Sequence, residues 1–222
     1  MTDWLLGPGE IYRAFAAEMA SGDLWRHVAA SLGRSLPGFA LGSLLGVALG
    51  LAAGVSRALD EILSAPVFLS YPVPKIVLLP IVMLWFGIGD ASKIVIIAAA
   101  CFYPAFINAY YGARSTRTIL VWSALNMGAG RWRLFWKVVL PSAFPMILAG
   151  LRVALALSFI LLFAAEMVGS RSGLGFLIRQ AEQDLRFDLM YVSILTIAVL
   201  GLAGDSLLVL ARARLVAWAD QR

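Results

Sequence analysis

Apolar positions along this chain come in long blocks rather than in alternation. The first block free of charge is residues 35–56, bounded by Arg34 and Arg57. Gly38, Gly42, Gly46, Gly50 and Gly54 recur within it every four residues. On a helix that spacing forms one ridge of small residues along which another helix can approach closely; a glycine-rich surface facing lipid is the plainer reading. A second block, 62–86, is broken by Pro66, Pro72, Pro74, Lys75 and Pro80. Four prolines do not fit one straight hydrogen-bonded helix. Irregular backbone persists in hydrocarbon only where protein or a wet cavity satisfies it, so this segment is expected in the bundle interior. Further blocks cover 93–111, 145–168 with Arg152 inside it, and 189–211 with Asp205. A bilayer core of about 30 Å takes about 20 helical residues, so the pattern predicts five spans. Residues 1–33 differ: Ile11, Phe15, Met19 and Leu24 fall among Glu10, Arg13, Glu18 and Asp23. That reads as a partly amphipathic helix, not a signal peptide, since no basic start precedes an apolar run.

Composition agrees. Of 222 residues, 61% are hydrophobic and 14% charged, where a soluble domain carries about a quarter charged residues. An apolar excess of this size has no interior to fill in a globule this small, so the chain reads as an all-α integral membrane protein. Cys101 and His27 are the only residues of their kinds. That excludes a disulfide scaffold, a His-rich metal site and Ser-His-Asp catalysis, and no catalytic or metal-ligating residue is expected. The net charge of +5 is explained by basic loops retained on one side of a membrane rather than by nucleic acid. Arg114, Arg117, Arg131, Arg133 and Lys137 crowd the loop between the third and fourth spans, with no acid among them, and Arg212, Arg214 and Arg222 follow the fifth. Both regions, including a tail at 216–222, are expected in the cytoplasm. Residues 1–33, 87–92 and 170–188 fall on the outer side and hold eight of the thirteen acids.

Charges inside spans cost about 2.5–3.5 kcal/mol on insertion scales and default to a functional reading. Lys75 either lines a path and attracts an anion or satisfies carbonyls freed around the prolines. Arg152 is read as snorkelling or pairing, Asp205 as closing a local hydrogen-bond network, and Glu166 as an ion-pair partner at the outer end of span four. No Gly-x-x-x-x-Gly-Lys-Ser/Thr phosphate loop occurs, so the chain is not itself an ATPase. A stand-alone secondary transporter or channel is the competing class. It predicts a repeated half, and none is visible.

The loop 112–141 carries the most information. Trp122, Ala124, Leu125 and Met127 precede Gly128-Ala129-Gly130, and Trp132, Leu134, Phe135 and Trp136 follow. The glycines predict two short helices, the second ended by Pro141, with Pro145 in the first turn of the next span. Ala124-x-x-x-Gly128, nine residues, then Val138-x-Leu140-Pro141 resembles the cytoplasmic loop signature of binding-protein-dependent ABC importer permeases. Pro72-Val73-Pro74, Leu84-Trp85-Phe86-Gly87-Ile88-Gly89, Ala149-Gly150-Leu151-Arg152, Ala165-Glu166-Met167 and Ser172-Gly173-Leu174-Gly175 are similar to the nitrate, sulfonate, taurine and bicarbonate branch. The resemblance covers roughly residues 24–215. The family's opening acid is absent, the positions reading Trp122-Ser123-Ala124, and an additional first span found in many relatives is missing. The resemblance implies a type I importer permease over 34–215 whose short helix inserts into a groove on a cytoplasmic ATPase dimer. Trp122, Ser123, Ala124, Leu125, Met127, Gly128, Arg131, Arg133, Leu140 and Pro141 form that coupling region, the arginines facing ATPase acids or anionic lipid. It also implies a second permease copy, an extracytoplasmic binding protein, a bacterial inner-membrane location, and ATP and magnesium held by the partner ATPase. Pro72, Pro74, Lys75 and Glu166 are the candidates for the translocation path.

Overall fold

The computed structural model describes residues 6–215, and among them there is no strand. Helix α1 (Pro8–Ser21) ends at Gly22, whose left-handed φ of 80° lets its N–H reach back to the Met19 carbonyl. Helix α2 (Asp23–Val55) starts at once, so the first span begins well before residue 35 and contains Leu24, His27 and Arg34. The N-terminal polar stretch is therefore two helices rather than one, because glycine at a left-handed position terminates a helix where other residues resist it. The expected tail at 216–222 lies outside the described residues.

Helix α3 (Arg57–Ser70) stops at the Pro72-Val73-Pro74 run, and the chain turns by 91° before a 3-10 turn (Lys75–Leu78) and α4 (Leu79–Phe86). Helix α5 (Asp90–Arg114) follows, then α6 (Thr118–Asn126) and the short α7 (Arg131–Leu134). A π turn (Phe135–Val139) joins α7 to α8 (Leu140–Met167); α9 (Leu174–Gln183) and α10 (Phe187–Leu215) complete the fold. Four stretches, Asp23–Val55, Asp90–Arg114, Arg131–Met167 and Phe187–Arg214, are long and apolar enough to cross a membrane. The bent pair α3–α4 makes a fifth if it counts as one span.

Two expectations change. Pro141 does not end a helix: residues 131–167 form one continuous rod. A proline ring clashes with the carbonyl four residues back, here that of Lys137, and the π turn loosens the rod at that point. The proline-broken segment also lies on the outside of this chain rather than in its interior. Of α3 only Val67 is buried, and of α4 only Leu79 and Val82, while Leu69, Leu84 and Trp85 are exposed.

The core is α5, packed between α2 and α8. The glycine ridge makes this possible. A Cβ at Gly42, Gly46 or Gly50 would collide with the carbonyl oxygens of Ala98, Phe102 and Phe106, and one at Gly38 or Gly54 would come within 3.0 Å of those of Ile94 and Tyr110. Five glycines spaced by four thus meet five carbonyls spaced by four, and the backbones touch along about 25 Å of helix. Gly150 repeats the device between α8 and α5, facing the Pro104 carbonyl and Asn108. Around this spine Ile97, Cys101, Ala154 and Leu162 form one buried apolar cluster, and Leu24, Leu174, Ala181 and Val192 another that joins α2, α9 and α10.

Candidate coupling and translocation site

Helix α6 projects from one end of the bundle with its apolar residues uncovered: Trp122, Leu125 and Met127 are exposed, and only Ala124 is buried. Its C-terminus is closed by two reverse bonds, Gly128 N–H to the Leu125 carbonyl at 2.9 Å and Ala129 N–H to the Ala124 carbonyl at 3.0 Å. This six-to-one and five-to-two pair is the Schellman arrangement, which requires a left-handed residue between them. Gly128 supplies it at φ 79°. Ser123 is exposed beside these residues, Arg131 and Arg133 begin α7, and Leu140 and Pro141 open α8, half-buried. All ten residues of the expected coupling region are therefore gathered on and immediately below this projecting loop.

At the same end, Asp60 on α3 accepts bonds from Tyr110 (2.9 Å) and Arg114 (2.7 Å) on α5. Asp60 and Arg114 edge a cavity of about 660 Å³ between the α2–α3 corner and the root of the loop.

The break in the bent pair holds the second group of residues. Lys75 directs its ammonium at the carbonyls of Ser70 (2.6 Å), Tyr71 (3.3 Å) and Val73 (2.7 Å), and lies 3.9 Å from the Tyr103 ring centroid. Its three N–H donors meet three carbonyls at the break, where the Ser70 carbonyl finds no helical donor at Pro74 and takes only a turn bond from the Val73 N–H, at 3.2 Å. Of the two readings of Lys75, the satisfaction of freed carbonyls is what the geometry contains. Pro72, Pro74 and Lys75 nevertheless border a cavity of about 300 Å³ closed by Ala100, Tyr103, Leu157 and Leu161.

Glu166 lies elsewhere, fully buried at the opposite end of the bundle. It accepts from Arg34 Nη1 (2.6 Å), Ser31 Oγ (2.9 Å) and the Gly175 N–H (2.9 Å). Nothing of its carboxylate reaches an open surface.

Residues 42–216 match the family described as binding-protein-dependent transport system inner membrane component. The chain belongs to this family. It is 40% identical over 90% of its length to a putative aliphatic sulfonates transport permease protein of Escherichia coli, covering 76% of that protein. It is 36% identical to the taurine transport system permease protein of the same organism, covering 88% of this chain and 71% of the relative. In solved structures it is similar to a chain of the MetNI methionine ABC transporter in an inward-facing conformation. That match has a TM-score of 0.70 and 22% identity over 90% of this chain and 96% of the other, a likeness of fold.

The permease is thus a multi-pass subunit of an ABC importer in the bacterial plasma membrane. It is non-catalytic: ATP hydrolysis belongs to a separate partner, and solute arrives through a substrate-binding protein. Sequence reasoning singled out Glu166 but missed the residues that give it meaning. Arg34, treated as the boundary of the first span, is 5% exposed and also bonds Asp90 (2.6 Å) and Ser172. The N-terminal amides of α9 have no partners within their own helix. Instead Gly173 N–H donates to His27 Nδ1 (3.0 Å), Leu174 N–H to Ser31 Oγ (2.9 Å) and Gly175 N–H to Glu166. A carboxylate at a helix N-terminus also suits the helix dipole. The only early signal was that His27, Ser31 and Arg34 share one helical face at spacings of four and three.

Arg152 and Asp205, both intramembrane, face each other from α8 and α10 through two bonds of 2.5 and 2.7 Å. They form a structural pair, away from either cavity.

Proposed function

We propose that this permease forms one half of a homodimeric translocation path, with its 112–141 loop in the cytoplasm and 1–33, 87–92 and 170–188 on the outer side. Helix α6 docks in a groove on the ATPase, which binds ATP and magnesium. Trp122, Leu125 and Met127 enter the groove, and Gly128 sets the turn that presents them. Closure of the ATPase pair draws the two loops together and rocks the spans about their glycine-packed core. The observation that carries this reading is the exposure of three large apolar side chains on a short helix whose end is fixed by a Schellman motif. A solvated helix would not expose them without a partner.

The path itself runs past the break between α3 and α4, where Pro72, Pro74 and Lys75 border the 300 Å³ cavity. Lys75 contributes by holding the bend, with its donors spent on backbone. Five helices enclose no path alone, and the exposed α3–α4 surface is the face a second copy covers. The relatives named for aliphatic sulfonates and taurine point to small sulfonates as the solute class, chosen mainly by the binding protein.

The test is co-purification of the ATPase with Leu125→Ala and Gly128→Val permeases. Interface anchors typically cost 2 kcal/mol or more on truncation, roughly a thirtyfold loss of affinity. Both variants are expected in the membrane at normal levels, with ATPase retention weakened and transport lost. Normal retention and transport by both would overturn the docking role.

A further inference from the structure

Beside α6 runs a groove that shares Ser123, Ala124, Met127, Arg133 and Pro141 with the coupling region but also takes in Lys137 and Val138, which that role leaves unexplained. Leu120, Ser123, Ala124 and Met127 form one wall. The other wall is a single stripe of the long rod, Arg133, Lys137, Val138, Pro141 and Ser142, and the two linked cavities along it measure about 240 and 320 Å³. The stripe is graded. Its first two residues are exposed cations that make no ion pair among the described residues, and its last three are apolar or hydroxylic. No acid lies anywhere between Asp90 and Glu166, so nothing in this part of the chain neutralises them.

The geometry points to an anionic phospholipid as the occupant, its phosphate between Arg133 and Lys137 and its acyl chains along Val138 and Pro141. Three observations favour lipid over a protein surface. First, an uncharged run starts at Val138 and continues to Leu151, so hydrocarbon begins about there. At 1.5 Å per residue Lys137 lies about 1.5 Å and Arg133 about 7.5 Å outside that point, which is the depth of a headgroup layer some 5–7 Å thick. Second, Trp132 and Trp136 stand one turn apart on the adjacent face, with ring centroids 5.5 Å apart, and both are exposed. Tryptophan collects at that same interface. Third, the apolar lining residues Val138 and Pro141 belong to the uncharged run that follows Lys137 rather than to the polar side an ATPase approaches from. A cation pair leading into an apolar channel matches an amphiphile, and each cation near an anionic leaflet contributes about one kcal/mol.

The experiment uses the full permease assembled with its ATPase in nanodiscs of phosphatidylcholine with or without phosphatidylglycerol. Native mass spectrometry reads retained phosphatidylglycerol, and pull-down reads the ATPase. The unsubstituted complex is expected to retain phosphatidylglycerol over phosphatidylcholine, and the preference should weaken as salt rises. Lys137→Gln, which lies outside the coupling region, should weaken it roughly fivefold, at about 1 kcal/mol for the one cation, while keeping the ATPase. Lys137→Arg should keep it, as should Arg117→Gln, which lies outside the groove. Retention by the Gln variant equal to the unsubstituted complex overturns the site, as does a preference indifferent to salt. Loss of the ATPase, with or without loss of lipid, assigns Lys137 to the protein interface and overturns it too. Failure of the α6 docking role shows separately, in Leu125→Ala.

Discussion

Arg34 on α2 donates to Glu166 on α8 across 2.6 Å, and their side chains are 6% and 0% exposed. The pair gathers four elements: Asp90 at the start of α5 holds Arg34 from one side, and the Gly175 N–H in the first turn of α9 holds Glu166 from the other. Removing one partner of a buried pair strands the other charge, at about 3–5 kcal/mol. Glu166→Ala should therefore lower the unfolding temperature of the purified permease sharply. Glu166→Gln should lower it less, because an amide oxygen still accepts from Gly175 and Ser31. Thermal unfolding in one detergent checks this order, and an Ala variant as stable as the unsubstituted protein would contradict it.

The glycine ridge makes an internally controlled prediction. A methyl at Gly46 meets the Phe102 carbonyl and the Ala105 side chain, whereas one at Gly33, on the same helix, meets nothing within 4 Å. Backbone cannot retreat from backbone without separating α2 from α5, so Gly46→Ala should cost several kcal/mol, in the range of overpacked cores at about 1–3 or beyond. Gly33→Ala should stabilise by about 0.5–1 kcal/mol, since alanine relieves the entropy penalty of glycine in a helix. Folded yield and unfolding temperature of the two variants, compared side by side, measure the difference.

Those two relationships also show what was legible in the chain. The ridge was readable because a period of four is local, and one helix displays it whatever its partner. The break at Pro72 and Pro74 was readable for the same reason, since proline lacks the donor that helix continuation needs. The position of that break on the outside of the bundle was not readable, because apolar residues facing lipid or a partner look the same in sequence as apolar residues facing a core. Arg34 was misread as a boundary because its two carboxylates lie 56 and 132 residues away, and a charge at the edge of an apolar block is the ordinary sign of a span ending. Pro141 misled in the opposite direction: the π turn ahead of it is a tertiary accommodation with no local signature. The 112–141 loop stood out through composition and motif together, although the acid expected before Ser123 is replaced by Trp122.

Leu185 carries the one positive φ outside glycine among the described residues, 54°, at the end of α9. Leu185 N–H bonds the Glu182 carbonyl and Arg186 N–H bonds the Ala181 carbonyl at 2.8 Å. This is the closure made at Gly128, built with the wrong residue. Left-handed backbone costs a side-chain-bearing residue about 1–2 kcal/mol, against about 0.5–1 kcal/mol of extra chain entropy for glycine. The side chain is 72% exposed, so little burial is lost. Leu185→Gly should raise stability by up to about 1 kcal/mol, seen as a higher unfolding temperature. If it falls instead, Leu185 makes a contact in the assembled transporter that outweighs its strain.

Arg152 and Asp205 make the last prediction, which separates pairing from function. Each lies in a span, and two bonds join them between α8 and α10. Arg152→Leu leaves a carboxylate on a helix that is otherwise almost wholly uncovered, at about 2.5–3.5 kcal/mol on insertion scales. Asp205→Leu strands the guanidinium likewise. Replacing both by leucine removes the two desolvated charges together, which in buried pairs is often neutral or stabilising. Membrane yield should fall for each single variant and recover in the double. Because neither residue borders the cavity at the helix break, the double variant should also transport. Recovery of yield without recovery of transport would place the pair on the solute's route and overturn its assignment as a structural tie between α8 and α10.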